Sequence, residues 1–517
     1  MPVNWVALIV FILFFGFVTF LGFAAARWRR GDLDLLHEWG LAGNRFGTVV
    51  TWFLIGGDVY TAYTFIAVPA LAFGAGAIAF FAVPYTILIY PFLFIVFPRM
   101  WAVAKRHGYI TAPDFVRGRF GNRWLALAIA VTGLVATMPY IALQLVGIQV
   151  VIGAMGVQSG GLSGDLPLII AFVILALFTY SSGLRAPAAI AIVKDLMIYI
   201  TVLVAIIVIP IELGGYGKIF ATAAQKPAPW ALILPNPPAD SFGQFSNYAT
   251  LAIGSALALF LYPHCMTGIL SASSGQVVKR NAAMLPAYSF LLGLLALLGI
   301  MTIAAGSDKV PELAPGFAEF KNNFAVPGLF LQMFPSWFVG FAFAAIAIGA
   351  LVPAAIMSIA AANIWSRNIH REFIRPNCTL KEEAQMAKWV SLIVKFGALL
   401  FIIFLPLQYA IQLQLLGGVM IIQTLPAVII GLYTRWFNSW ALLLGWAAGL
   451  ATGAWMASLT GFQSATYPLV IAGITIPGYA ALYSLTINIA VAAGVTVVLN
   501  AIGSVESTDE TIATDYA

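Results

Sequence analysis

Apolar stretches of about 20 residues follow one another from near residue 5 to near residue 503, and each can cross ~30 Å of hydrocarbon as a helix. In hydrocarbon every backbone amide must be bonded within the protein, which leaves helices or closed barrels. Runs of this length read as helices, so the fold class is all-α and membrane-integral. Composition agrees: 62% of the 517 residues are hydrophobic and 9% charged, against roughly 25% charged in soluble globular proteins. The run at 5–26 is too long for a signal-peptide core and is followed by "RWRR" rather than a small-residue cleavage site, so it counts as a helix.

Hydropathy and loop composition together give thirteen predicted spans, numbered 1 to 13: near 5–27, 47–73, 76–103, 123–155, 166–185, 187–214, 247–272, 282–306, 335–365, 388–405, 408–433, 438–460 and 478–503. Basic residues test the list, because they gather in cytoplasmic loops. Of the 25 lysines and arginines, nineteen fall in one set of alternate loops, and only Lys218, Lys226, Lys309 and Lys321 fall in the other. This asymmetry predicts an external amino terminus and a cytoplasmic carboxyl terminus, and it makes the basic balance topological rather than a nucleic-acid footprint. The two cysteines, Cys265 in a span and Cys378 in a loop, suggest neither a disulfide framework nor a zinc site.

Four ionisable residues lie well inside spans: Asp58, Lys194, Asp195 and Lys395. Such groups are costly in hydrocarbon and usually face a protein interior or a water path. Lys395, two turns into span 10, reads as snorkelling or paired near the cytoplasmic end. Asp58 follows Gly56-Gly57 in "FLIGGDVYTAY". Adjacent glycines are poor helix formers, and irregular backbone at membrane depth is tolerated only where protein or a cavity satisfies it. The plain alternative is close glycine packing with Asp58 capping the next turn. A second interruption is predicted at "LFLYPHCMTG", where Pro263 removes a helix hydrogen bond. Spans 2–6 and 7–11 then form two five-helix repeats, 47–214 and 247–433, of opposite orientation and each opening with a discontinuous helix. Residues 1–46 hold an extra helix and loop, 434–503 two peripheral helices, and 504–517 a short acidic tail of disordered composition.

At this point the chain resembles the sodium/solute symporter family over essentially its whole length. The likeness rests on the span pattern together with "GLAGNRFG", "YITAPDFVRGRFG", "SSGLRA", the "PH" of span 7 and "NIWSRNIHREFI". "GLRAPAAIAIVKD" and "GALVPAAIMS" are most similar to bacterial monocarboxylate permeases. The resemblance implies a LeuT-type fold with substrate between the broken helices, and a sodium ion held by span 2 carbonyls and span 9 hydroxyls. Carried over, those carbonyls are Gly56 and Val59 in span 2 and Gly349 in span 9, but the two hydroxyl positions hold Val352 and Pro353. A valine-proline pair offers a hard cation no side-chain oxygen, so the site reads as degenerate. In span 6 "VKD" puts Lys194 where the family usually has a hydroxyl residue. A lysine ammonium can stand in for sodium, as in certain proton-coupled amino-acid transporters of the same fold. Lys194, Asp58 or Asp195 could carry the proton; the plain alternative for Lys194 is a static ion pair with Asp195 or a snorkelling stem.

A monocarboxylate needs donors for two oxygens, best supplied by amides at a half-helix start. Gly56 and Gly57 are the candidates, with Tyr60, Thr61 and Tyr63 in span 2, Tyr140 and Gln144 in span 4, and Tyr262 and His264 in span 7. No HExxH, CxxC pair, GxxxxGK[ST] or serine nucleophile elbow occurs, so the sequence predicts neither an enzyme nor an ATP-driven pump. It predicts a secondary transporter of the bacterial inner membrane, without cofactor, importing lactate, pyruvate and related acids such as acetate, propionate or alanine. Its partners are substrate, a proton or sodium ion, and lipid; a monomer is compatible with all of this. The rival readings are sodium symport of another small solute, or a transporter-like sensor. The latter would need a separate partner, since only fourteen residues follow Gly503.

Overall fold

Helical residues occupy every one of the thirteen predicted spans. The computed structural model describes residues 1–28, 31–157, 166–404, 410–503 and 508–517, except the side chains of Ala26, Asp58, Val59 and residues 400–404. Among the described residues, nine helices are long and apolar enough to cross a membrane, ten if one bent pair counts as a span. Span 9, Ser336–Ile364, runs through the centre and is buried almost from end to end. Its alanines and glycines let neighbouring backbones come close, and spans 1, 4, 6 and 10 pack around it. Span 1, Trp5–Ala24, lies at the edge and leaves most of its large apolar side chains exposed, as lipid contact requires.

Both predicted interruptions are present. Span 2 is helical over Thr48–Val59, extended at Tyr60 (φ −90°, ψ 92°), and helical again from Tyr63 to Ala75. Span 7 comprises Gly243–Leu259 and Pro263–Leu270, bent by 51°. Pro263 opens the second half, where the amide it lacks has no helical partner in any case.

Two expectations are corrected, on the tail and on Lys395, and a short hairpin accompanies the helical fold: β1, Thr466–Ile471, pairs antiparallel with β2, Ile474–Tyr479, across a turn whose Ala472 and Gly473 both have positive φ. The β-branched and aromatic residues of this loop fit a pleated ribbon, and the turn conformation matches its twist. The acidic tail is docked over residues 508–517, while 504–507 lie outside the described residues. Asp509 pairs with Arg119 and Arg435 at 2.6 and 3.2 Å, Asp515 with Arg106 and His107 at 3.1 and 2.8 Å. Composition suggested disorder because it could not show that these acids meet basic loops. Lys395 does not snorkel. It is buried, with Nζ 2.8 Å from Ser391 Oγ, which in turn lies 3.2 Å from Ser358 Oγ of span 9.

Candidate functional site

The break in span 2 exposes peptide groups in a dry interior, and every one needs a partner. The amide of Thr61 bonds Thr64 Oγ1, that of Tyr63 bonds Thr61 Oγ1, and that of Ala62 reaches across to Gln144 Oε1 of span 4 at 3.1 Å. The Gly56 carbonyl accepts from the Tyr60 amide at 3.1 Å. Lys194 Nζ lies 2.8 and 3.1 Å from the carbonyl oxygens of Gly57 and Tyr60.

Lys194 and Asp195 are both fully buried on the span 6 helix Arg185–Glu212. Nζ lies 3.0 Å from Asp195 Oδ1, while Tyr288 Oη donates to Asp195 Oδ2 at 2.6 Å. Two of the ammonium's N–H donors go to the carbonyls of Gly57 and Tyr60, and the carboxylate oxygen stands beside it as an ion-pair partner without a hydrogen bond. Around it the rings of Trp52, Tyr60, Tyr199 and Tyr288 pack with centroids 4.6 to 6.5 Å apart.

The residues present do not fit a sodium ion: Lys194 occupies the carbonyls of Gly57 and Tyr60, and the Gly56 carbonyl of the implied set accepts from the Tyr60 amide. A Cβ on Gly349 would lie 4.0 Å from Tyr60 O, so that residue does border the site. Val352 and Pro353 are buried beside it and contribute no oxygen. The side chains of Asp58 and Val59 lie outside the described residues.

Gly56 and Gly57 have a purpose different from the one expected. Both are inside the first half-helix, so their amides are not the free donors of a half-helix start. A Cβ on Gly56 would stand 2.3 Å from Tyr288 Cζ, and one on Gly57 2.9 Å from Lys194 Nζ. The glycines admit the tyrosine and the lysine.

The candidate substrate residues divide into two groups. Tyr60 joins the lysine cluster, its hydroxyl donating to Tyr288 O at 3.2 Å, and Thr61 caps the break. Tyr63, Tyr140, Tyr262 and His264 gather with Tyr85: ring centroids are 6.3 Å apart for Tyr63 and Tyr85, and 5.3 Å from Tyr140 to both Tyr262 and His264. Gln144 sits between the groups, tying Ala62 to span 4. In the second group the Tyr63 hydroxyl and both His264 ring nitrogens are buried without a protein partner. The side-chain amide of Gln414 in span 11 is likewise unpartnered, while the Gln414 backbone carbonyl accepts from Tyr262 Oη at 3.0 Å. Buried polar groups are nearly always bonded, so this aromatic-walled cluster has the donors and acceptors a small polar ligand would use.

Sequence reasoning missed Tyr288, Tyr85 and Gln414. Tyrosines and a glutamine in apolar runs carry no spacing signal, although the glycine pair did signal that something large approaches span 2.

A family model described as "Sodium:solute symporter family" matches residues 39–449. A protein of Rhizobium johnstonii named "Monocarboxylate transport permease protein" is 52% identical over 504 residues, 97% of each chain. One from Bacillus subtilis, named "Uncharacterized symporter YodF", is 34% identical over 87% of each. Among solved structures, that of a Na+-coupled sialic acid symporter in a substrate-bound outward-open state matches with a TM-score of 0.72 at 15% identity, covering 95% of this chain and 98% of that one; the likeness shows the fold. A LeuT-type helical fold with the first helix of each repeat broken, joined to these matches, makes the chain a multi-pass secondary transporter that belongs to the sodium:solute symporter family.

Proposed function

We propose that the protein imports short monocarboxylates, lactate and pyruvate foremost, in symport with a proton carried by Lys194. One observation carries the coupling: Lys194 donates to Gly57 O and Tyr60 O and pairs with Asp195 at 3.0 Å, where the family places sodium. Loss of a proton to water on the inner side removes the charge that pairs with Asp195, which loosens the lysine's hold on span 2 at its break. Regaining a proton on the outer side restores the pair. The cation thus holds the unwound helix in a protonation-dependent way, and alternating access follows from the rocking of the two repeats.

The substrate class is supported by the name of the Rhizobium relative at 52% identity. The second cluster suits it, with Tyr63, His264 and Gln414 free to bond carboxylate and α-substituent oxygens between aromatic walls. No arginine or lysine belongs to this cluster among the described residues, so binding is modest in strength and tolerant of related acids. The basic loops face the cytoplasm of a bacterial inner membrane, with the amino terminus outside.

The test is uptake of labelled lactate or pyruvate into proteoliposomes under an imposed inward proton gradient, with sodium present and absent. Uphill uptake without sodium, abolished by Lys194→Met, is the expected result. A strict sodium requirement overturns the proton reading, and absence of any accumulation overturns transport.

A further inference from the structure

We propose that Tyr288 is a positioning residue for the coupling lysine: its hydroxyl fixes Asp195 as the counterion of Lys194 and links that pair to movement of span 8. This rests on the reading that Lys194 carries the coupled proton.

Tyr288 is fully buried in the first turn of the span 8 helix Pro286–Ala305. It lies on the predicted second repeat, yet it touches Asp195, Gly56 and Tyr60 of the first. Its hydroxyl donates to Asp195 Oδ2 at 2.6 Å, its ring covers Gly56 so closely that no Cβ fits there, and its carbonyl accepts from Tyr60 Oη at 3.2 Å. Asp195 therefore accepts from the Tyr288 hydroxyl on Oδ2, with the Lys194 cation 3.0 Å from Oδ1 as its ion-pair partner. Turning the carboxylate would break the charge-assisted bond from Tyr288. With Asp195 fixed, the lysine is the partner left to change. Movement of span 8 relative to span 6 would withdraw the tyrosine and alter the lysine's hold on its proton.

Few other groups compete. On span 6 itself Tyr199 packs against Tyr288, and from span 3 Tyr90 bonds Ser289 Oγ and Leu285 O. Span 2 brings Tyr60 and Asp58, the latter's side chain outside the described residues. Spans 1 and 9, which also pack on span 6, hold no titratable side chain in their helices. Span 5 brings Tyr180, bonded to Gln385, and at the Arg185 end lie Arg27, Arg45 and Glu38.

The experiment uses the full-length protein in proteoliposomes, comparing wild type, Tyr288→Phe, Asp195→Asn and the double variant for lactate uptake across pH. Phenylalanine keeps the ring over Gly56 and removes only the hydroxyl. Tyr288→Phe is expected to displace the pH of half-maximal uptake by about one unit or more, the scale of one hydrogen bond to a charged group. The KM for lactate should change less than about twofold. In the Asp195→Asn background the same substitution should add nothing. An unchanged pH profile, or an equal effect in both backgrounds, overturns the proposal. If Tyr288→Phe does not reach the membrane, 3,5-difluorotyrosine at this position keeps the hydroxyl, makes it more acidic, and should displace the profile too; no displacement overturns the proposal equally. Wild-type uptake that ignores pH and follows sodium defeats the lysine reading. The four proteins then still report on Tyr288 through the sodium concentration for half-maximal uptake, where additive effects of the two substitutions would show no coupling between the residues.

Discussion

The Gly57 carbonyl oxygen and Lys194 Nζ lie 2.8 Å apart, so a span 6 ammonium meets the backbone of span 2 where its first half-helix ends. Lys194→Met removes that contact and leaves Asp195 buried without its cation, a change costing about 3–5 kcal/mol. Uptake should fall at least about tenfold and the unfolding temperature should drop. Adding Asp195→Asn should recover most of the stability but not the uptake. Thermal unfolding and vesicle uptake of the three proteins check this.

Gly56→Ala places a methyl group 2.3 Å from Tyr288 Cζ. Relieving that overlap costs about 1–3 kcal/mol and moves the tyrosine off Asp195. We expect a lower unfolding temperature and a loss of uptake of about tenfold or more. Gly47→Ala, where an added Cβ meets nothing within 4 Å, should behave as wild type.

Gln144 Oε1 is the partner given for the Ala62 amide at the break. Gln144→Leu strands that N–H in a dry interior, at about 1–3 kcal/mol. Gln144→Glu retains an acceptor at the same reach, so it should recover part of the stability lost by the leucine variant, as measured by thermal unfolding in detergent.

His264 has no protein hydrogen-bond partner at either ring nitrogen. A structural histidine would destabilise the fold when replaced; a ligand-facing one should not. His264→Phe is expected to raise the KM for lactate about tenfold while leaving the unfolding temperature within a few degrees. A large drop in stability with an unchanged KM would assign the residue to packing.

The docked tail makes a pH prediction outside the membrane. The Ile512 amide first, then His107 and Arg106, hold the Asp515 carboxyl down at about 2, against its ordinary 3.8. The folded value is the lower one, so the contribution to docking is fully present above about 3.8 and is lost as pH falls through about 2. A fluorophore at the carboxyl terminus should gain mobility across that window. Asp515→Asn should show part of that mobility already at pH 7, measured by anisotropy.

The long apolar runs determined by themselves that this chain is a bundle of membrane helices, because hydrocarbon admits so few ways to satisfy a backbone. Gly56-Gly57 and Pro263 pointed to the two interruptions: proline acts on the backbone locally and opens the second half of span 7, whereas the glycines lie inside the first half-helix of span 2 and make room for side chains from elsewhere. Lys194 was legible because an ammonium in a span demands a partner. What only the tertiary structure decided was which atoms meet. Lys194 bonds the carbonyls of Gly57 and Tyr60, neither of which the resemblance named, while Gly56 O accepts from the Tyr60 amide. Tyr60 went to the lysine cluster rather than the substrate group, and the tail found its basic loops. These outcomes depend on contacts between residues far apart in the chain, such as Asp195 with Tyr288, and hydropathy has no access to such pairings. Packing, not periodicity, selects them.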